Sequence, residues 1–498
     1  MAQQQSSAEV AATGIEGLDN LLGGGLPRNR LYLLEGDIGT GKTTLGLQFA
    51  LAGVRQGERV LYVTLSETEQ ELRVIATSHG WDLDGLEIYE LQPSDEQGMD
   101  SGYTLFHPSE MEMNEGMQRL LQNMEQNKPA RLVLDTLSGL RILADDGLHY
   151  RRQIQMLRNH LNKHDCTALL LDESISAPEK SQAQVIAHGI INLERSIMVY
   201  GAARRRLHIH KLRGVEYLDS YHDFRIIKGG INVYPRLVPE EHQQPTHQLK
   251  SDLVSSGIKE LDTLLGGGLA RGYSALLMGP AGTGKSTLCT QYAVAAAERG
   301  ERSLIFVFEE SLEHFIKRAE SMNIRLKKHM DSGHIRLDSV YSTNLSPGEF
   351  WNRVRYLVEQ QPTHLVVFDS LSGYLHAMPE ERYLSLHFQE LLTYLNYQGI
   401  VAMLTIVQSG FIGADLKPPL SLSTIADTII LLRYFESKGE IHRAISVLKH
   451  RSGAHEMTIH RLRLGDAGVQ VNQQLDGFQG IFTGVPEYTT PPDLLKRD

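Results

Sequence analysis

One stretch of this chain occurs twice, and it restricts the folds open to its surroundings. GDIGTGKTTLGLQFA begins at Gly36 and GPAGTGKSTLCTQYA at Gly279. Each fits the phosphate-loop pattern G-x-x-x-x-G-K-S/T, preceded by an apolar run (residues 31–34 and 275–278) and followed by a helical pattern. Gly36, Gly39 and Gly41, with Gly279, Gly282 and Gly284, allow backbone N–H groups to close round a phosphate without Cβ clashes. The helix that follows turns its positive N-terminal end toward the same anion. Lys42 and Lys285 are spaced to reach the β- and γ-phosphates, and the hydroxyls of Thr43 and Ser286 to ligate Mg²⁺. Thr40, Thr44, Thr283 and Thr287 complete the set expected to hold the nucleotide. A glycine-rich turn that merely caps a helix is the other reading, and a strand–loop–helix context occurring twice argues against it. The cofactors implied are ATP and Mg²⁺.

The repeat extends well beyond these loops. TGIEGLDNLLGGGL from Thr13 matches SGIKELDTLLGGGL from Ser256, an offset of 256 − 13 = 243. Glu67 and Glu310 keep that offset, whereas Asp135 and Asp369 stand 369 − 135 = 234 apart and Lys211 and Lys449 stand 449 − 211 = 238 apart. Such small drifts indicate a tandem duplication with altered loop lengths. At 498 residues the chain is also too long for one core. The expected division is a disordered start (1–12), a first domain (13–237), a polar linker with two prolines (238–252), a second domain (253–480) and a tail (481–498).

Within each copy, short apolar runs alternate with helical patterns. Strands are expected over residues 31–34, 60–65, 132–134, 168–171 and 190–193, and over 275–278, 304–308, 365–368, 401–406 and 428–432. Helical patterns such as 151–163 and 383–397 separate them. Strands apolar throughout belong in mostly parallel sheets covered on both faces, so the class is α/β. Ligand then belongs at the carboxyl ends of the strands. Each copy closes with a β-rich stretch, RRLHIHKLRG from Arg205 and RAISVLKHRSG from Arg443.

The totals exclude several classes. A formal charge of −11 gives no overall field for nucleic acid or anionic membrane. Two cysteines, Cys166 and Cys289, make a disulfide framework implausible and a reducing cytoplasm the expected compartment. The first residues lack the basic start and apolar core of a signal peptide, and no apolar run approaches a membrane span.

Further acids fall where phosphoryl chemistry needs them. RLVLDTLSGL carries Asp135 and HLVVFDSLSGY carries Asp369, each closing an apolar run so that its carboxylate points at the Mg²⁺ shell. The strand after each phosphate-loop helix also ends in acid, FEES (Glu309, Glu310) in the second copy and LSET (Ser66, Glu67) in the first. A carboxylate there can take a proton from an attacking water or hydroxyl. Serine cannot, so the two copies are expected to differ in chemistry. Lys211 and Arg213, like Lys449 and Arg451, share a Lys-x-Arg spacing near the end of each copy. Solvated side chains at a β-tip are one reading; cations that reach a neighbouring subunit's phosphates are the better one. That requires head-to-tail contacts, which close into a ring when the rotation permits. The Arg204-Arg205-Arg206 cluster fits either that interface or a solvated hairpin edge. His208 and His210 share a strand face without a further ligand at useful spacing, and the remaining histidines form no constellation in the sequence.

Taken together, these residues resemble the KaiC family of clock ATPases and autokinases, over about residues 12–488. The resemblance implies two tandem RecA-like P-loop NTPase domains and a homohexamer of two stacked rings. LSLSTIADTIILLRY, from Leu420 to Tyr434, resembles the family's autophosphorylation segment, with Ser423 and Thr424 on its two phosphorylated positions. By analogy these hydroxyls face ATP on a neighbour's second loop, with Glu309 as base and Glu310 assisting. The first ring would hydrolyse ATP slowly and hold the hexamer, and a KaiB-like partner would dock on it. Three departures stand out. Ser66 replaces the first acid of the N-terminal pair, Pro418-Pro419 replace hydroxyl and acidic residues near the phosphosites, and the tail after Gly484 is short. The short tail argues against a KaiA-type activator. A plain partner-switching ATPase ring is the second reading. A RecA-like recombinase or helicase is the third. The segments from Asp172 and from Gln408, placed to line a pore, each hold one lysine and no arginine, which argues against nucleic acid.

Overall fold

The computed structural model describes residues 9–91, 108–143, 147–173, 180–198, 201–239, 252–340, 345–377, 383–408, 426–437, 439–466, 468–476, 478–481 and 487–488. Two compact units divide between Arg236 and Leu237. Most of the polar stretch expected as a linker (240–251) lies outside the described residues.

The first unit is built on a nine-stranded sheet. From one edge, strands Glu87–Glu90, Val60–Thr64, Arg131–Asp135, Thr167–Glu173, Leu31–Gly36 and Gly189–Ser196 run parallel. Strands Arg204–Leu212, Tyr221–Ile227 and Gly230–Tyr234 then continue it antiparallel. The second unit repeats this order: Ile335–Ser339, Ser303–Val307, Leu365–Asp369, Val401–Val407, Ser274–Gly279 and Thr428–Ser437 are parallel, with Glu440–His450, Ile459–Gly465 and Gly468–Gln474 antiparallel. Tandem mostly parallel α/β domains are thus what the chain forms.

The apolar strands follow from burial on two faces. Successive residues point to opposite sides. Leu31 and Leu33 accordingly pack into one cluster with Leu157 and Leu161 of helix Gly147–Lys163, while Tyr32 and Leu34 pack into another with Leu45 and Phe49 of helix Lys42–Arg55. In the second unit Leu276 and Met278 join the cluster of Phe388 and Leu391, and Ala275 and Leu277 that of Leu288 and Tyr292. Two parallel edge strands, Glu87–Glu90 (EIYE) and Ile335–Ser339 (IRLDS), carry polar residues and extend the sheets beyond the expected five. Phe478–Gln479 pairs antiparallel with Glu487–Tyr488, and Ile481 is buried against Phe435 and Ala444. Among the described residues no helix is long and apolar enough to cross a membrane.

Candidate nucleotide sites

In each unit the phosphate loop leaves the carboxyl end of the central strand, Leu31–Gly36 or Ser274–Gly279, and enters a fourteen-residue helix directly. Gly41 and Gly284 are the N-caps, with φ of 110° and 107°, a left-handed region that side chains strain to adopt. A Cβ there would also lie 2.6 Å from Ile226 Cδ1 or Leu464 Cδ1. Lys42 Nζ donates to the carbonyls of Gly36 (2.8 Å) and Asp37 (3.1 Å), and Lys285 Nζ to those of Gly279 (2.8 Å) and Pro280 (2.7 Å). Each ammonium therefore lies folded over its own loop, where a phosphate would meet it. Burial lowers both lysine pKa values, that of Lys285 to about 8, against the opposing pull of Asp369.

The second strand of each site supplies the carboxylate. Asp135 Oδ2 accepts from Thr43 Oγ1 at 2.9 Å and from Tyr62 Oη at 2.8 Å. Asp369 Oδ1 accepts from Thr405 Oγ1 at 2.5 Å. A loop hydroxyl in contact with a carboxylate is a hard-oxygen donor pair, which fits Mg²⁺. Burial raises the pKa of Asp135.

The acids beyond strands Val60–Thr64 and Ser303–Val307 are fixed by the turns that start the next helices. Thr64 Oγ1 donates to the Glu67 carbonyl and accepts from its N–H, and Thr68 and Glu71 form a capping box at helix Glu69–His79. Glu67 stands half-buried, its Oε2 shielded from solvent and without a hydrogen-bond partner. Burial, then the charges of Asp135 and Glu71, push its pKa to about 7. In the second unit Ser311 caps helix Leu312–Ser321. Glu309 Oε2 there accepts from Ser370 Oγ at 3.0 Å, and Glu310 pairs with Arg318 at 2.6 Å. Counted by the 243-residue offset, Glu67 matches Glu310, while the exposed Ser66 matches Glu309. The two units thus hold their acids differently: one poised and unpartnered, the other pair anchored by a hydroxyl and an arginine.

Among the described residues, the cations beside each loop are not the Lys-x-Arg pairs. Arg205 Nη2 donates to the Gly39 carbonyl (3.4 Å), and Arg443 Nε to that of Gly282 (3.3 Å). Their cross-strand partners are Arg195 and Tyr434, and Tyr434 Oη donates to the Ala281 carbonyl at 3.3 Å. The second loop opens on a cleft of about 480 Å³ whose far wall is Arg318, Ser321, Met322, Arg443 and the Leu464–Asp466 turn. Sequence reasoning missed Tyr62, Arg318, Tyr434 and Arg443 here. The cross-strand register that brings Arg195 opposite Arg205 and Tyr434 opposite Arg443 is set by strand pairing, which the sequence does not spell out. Within one chain the Arg204-Arg205-Arg206 cluster divides between the two faces of its strand. Arg204 is buried, Arg205 lies on the unit's own loop, and Arg206 pairs with Asp223 at 3.4 Å, because alternate residues of a strand face opposite ways.

Lys211 and Arg213 sit at the opposite end of the sheet. Lys211 Nζ donates to the Gln184 carbonyl, Arg213 N–H to the His188 carbonyl, and Arg30 Nη1 to the Arg213 carbonyl, at the point where the chain enters the central strand. Lys449 and Arg451 repeat this: Lys449 Nζ donates to Ala426 O, and Arg451 Nη1 lies 3.5 Å from Asp427, which itself accepts from Ser274. A six-residue strand separates such an end from its phosphate loop by about 17 Å. Burial, then the neighbouring arginine, lowers the pKa of both lysines.

Ser423 and Thr424, with Pro418-Pro419, lie outside the described residues, as does most of both segments expected to line a pore. Cys166 and Cys289 are buried and unpaired. His208 bonds Asp219 at 2.8 Å and stacks on Tyr221, a structural arrangement. The reading that the remaining histidines form no constellation is overturned, because His160 and His164 meet Glu125 of another helix.

A family model described as "ATPase: KaiC" matches residues 11–238 and again 254–476. The circadian clock protein KaiC3 of Synechocystis is 28% identical over 99% of this chain and 97% of its own length. The circadian clock oscillator protein KaiC of Parathermosynechococcus lividus is 28% identical over 95% of this chain and 87% of its own, and that of Synechococcus elongatus 27% over 96% and 92%.

Proposed function

The chain belongs to the KaiC family of ATPases, and on that premise we propose that it is an ATP-dependent Ser/Thr autokinase and ATPase working as a homohexameric timing or signalling switch. The placement of Lys211, Arg213, Lys449 and Arg451 carries this reading. Each pair stands a strand's length from its own phosphate loop, in the same position in both units. Cations so placed serve a nucleotide only across a head-to-tail seam, and repeated seams close a ring.

In the second unit, Lys285 and the loop N–H groups hold the phosphates while Arg443 and Tyr434 line the loop's rim. Glu309, oriented by Ser370, takes the proton of the Ser423 or Thr424 hydroxyl of the adjoining chain. That oxygen bonds the γ-phosphorus as the bond to the ADP oxygen breaks, so ADP leaves and the proton stays on Glu309. Glu310, neutralised by Arg318, assists without competing for the proton. In the first unit Glu67 takes the proton of a water, giving ADP and phosphate. Mg²⁺, held by Thr43 and Asp135 or by Ser286 and Asp369, would offset the charge that develops on the transferring group. The buried, unpaired cysteines fit a reducing cytoplasm. A KaiB-like protein on the first ring is the partner the family suggests, whereas the acidic balance argues against nucleic acid.

Incubation with γ-labelled ATP tests the phosphosite assignment. Wild type is expected to incorporate label and the Ser423→Ala/Thr424→Ala variant to lose it while still hydrolysing ATP. Label that persists in the variant dismisses these positions. Turnover without label in wild type favours a ring that switches partners without phosphosites, a reading that Pro418-Pro419 also favour. The lowered Lys285 pKa gives a second expectation. Phosphate binding needs the ammonium, so nucleotide affinity at the second loop falls as pH rises past about 8, with proton uptake on binding. Calorimetry across that range checks it, and an affinity that does not change with pH contradicts it.

A further inference from the structure

Helix Pro108–Asn127 ends just before strand Arg131–Asp135, and helix Gly147–Lys163 just before strand Thr167–Glu173. At these ends Glu125, His160 and His164 each bring one ligand atom within 4.8 Å of the others. The two imidazoles are four residues apart, and the His164 N–H donates to the His160 carbonyl at 3.2 Å, so both lie on one helical face. Their ring centroids are 4.3 Å apart. Both Nε2 atoms are shielded from solvent and have no hydrogen-bond partner. Two buried polar atoms left unsatisfied at one point need a reason. Glu125 is exposed, which leaves a way in from solvent.

The duplicated unit shows what the same positions do without histidine. At the 234-residue offset of Asp135 and Asp369, the counterparts are Glu359, Tyr394 and Gln398. There Tyr394 Oη donates to Glu359 at 3.3 Å, joining the equivalent helices directly. In the first unit two imidazoles stand at these positions, each with one ligand atom within 4.8 Å of the retained carboxylate.

We propose that Glu125, His160 and His164 bind a divalent transition-metal ion, zinc above all, which ties the ends of these two helices together. Two borderline nitrogen ligands and one carboxylate suit zinc better than Mg²⁺ or Ca²⁺, which prefer all-oxygen shells. In a tetrahedral site the ligand atoms stand about 3.4 Å apart, so modest side-chain rotation draws these three in, with water as fourth ligand. The site lies where the chain enters the strands, away from the phosphate loop, so its role is to brace the first unit.

The test uses full-length, tag-free protein, stripped with chelator and held in Mg-ATP, titrated with Zn²⁺ and separately with Co²⁺. One zinc per chain is expected to bind, to raise the melting temperature, and to be replaceable by cobalt with the visible bands of a tetrahedral N/O site. His160→Tyr, which installs the residue of the second unit, and His164→Gln are each expected to weaken binding by about a hundredfold or more and to abolish the cobalt bands. Steady ATP turnover in the variants shows that they remain folded. The proposal fails if wild type binds no zinc at tens of micromolar, or if both variants bind it unchanged.

Discussion

Replacing Lys449 and Arg451 together by alanine is expected to lower label transfer in the second unit by about a thousandfold, the range seen when a cation that stabilises a transferring phosphoryl group is lost. ATP binding should change little, because the groups proposed to hold the loop's own phosphates (Lys285, with Arg443 at the rim) are untouched. The effect therefore falls on turnover and not on affinity. Lys449 also supports the Ala426 carbonyl, just after the segment that carries Ser423 and Thr424. A purely structural loss would show as a lower melting temperature with binding weakened in parallel. Unchanged binding with collapsed transfer separates the two. The matching Lys211→Ala/Arg213→Ala variant should do the same to hydrolysis in the first unit while leaving labelling largely in place.

Glu67→Gln is expected to lower hydrolysis in the first unit by about 10²–10⁴-fold, the usual contribution of a positioned base. The assay belongs in a Lys285→Ala background, so that the second unit adds no turnover. With a pKa of about 7, Glu67 loses its proton near neutrality, and wild-type turnover should rise with pH through that value. The variant's residual rate should lack that limb. Stability moves the opposite way. A carboxyl whose folded pKa is raised keeps a proton that the unfolded chain releases, so stability falls as pH climbs from the ordinary 4.5 to about 7 and stays reduced above it. Glu67→Gln removes that penalty. Its melting temperature should exceed wild type above pH 7 and match it near pH 4. A variant less stable at all pH values would mean that Glu67 braces the fold and is not a strained base.

How far the sequence carried depended on how locally each feature is written. The ten apolar strands were legible because covering both faces leaves little room for a polar residue, and the duplication gave every element a second reading. Edge strands Glu87–Glu90 and Ile335–Ser339 were not, since one open side lets glutamate, arginine and aspartate in and erases the apolar run. The loop residues from Gly36 to Thr44 and Gly279 to Thr287 form contiguous motifs, so geometry added little to them. The surroundings are another matter. Arg205 reaches Gly39 across 166 residues, and Tyr62 reaches Asp135 across 73, through strand order alone. Glu310 pairs with Arg318 around a helix cap, which spacing does not announce. Glu125 joins His160 and His164 from a separate helix, so a search along the chain sees a lone histidine pair at most. The Lys-x-Arg pairs were legible as a repeated spacing; their distance from their own loops was not, and that distance turns a surface feature into an argument for neighbours.

A mixing experiment tests that argument most directly. Lys285→Ala chains retain Lys449 and Arg451 but are expected to hold no nucleotide in the second unit, while Lys449→Ala/Arg451→Ala chains are expected to hold nucleotide without the cations. Each alone should transfer almost no label. Equal amounts, taken apart without nucleotide and reassembled in Mg-ATP, should recover about a quarter of wild-type transfer, the share of seams that pair a working loop with working cations. A mixture no more active than its parents would contradict the account, because each loop would then depend on cations from its own chain or on none.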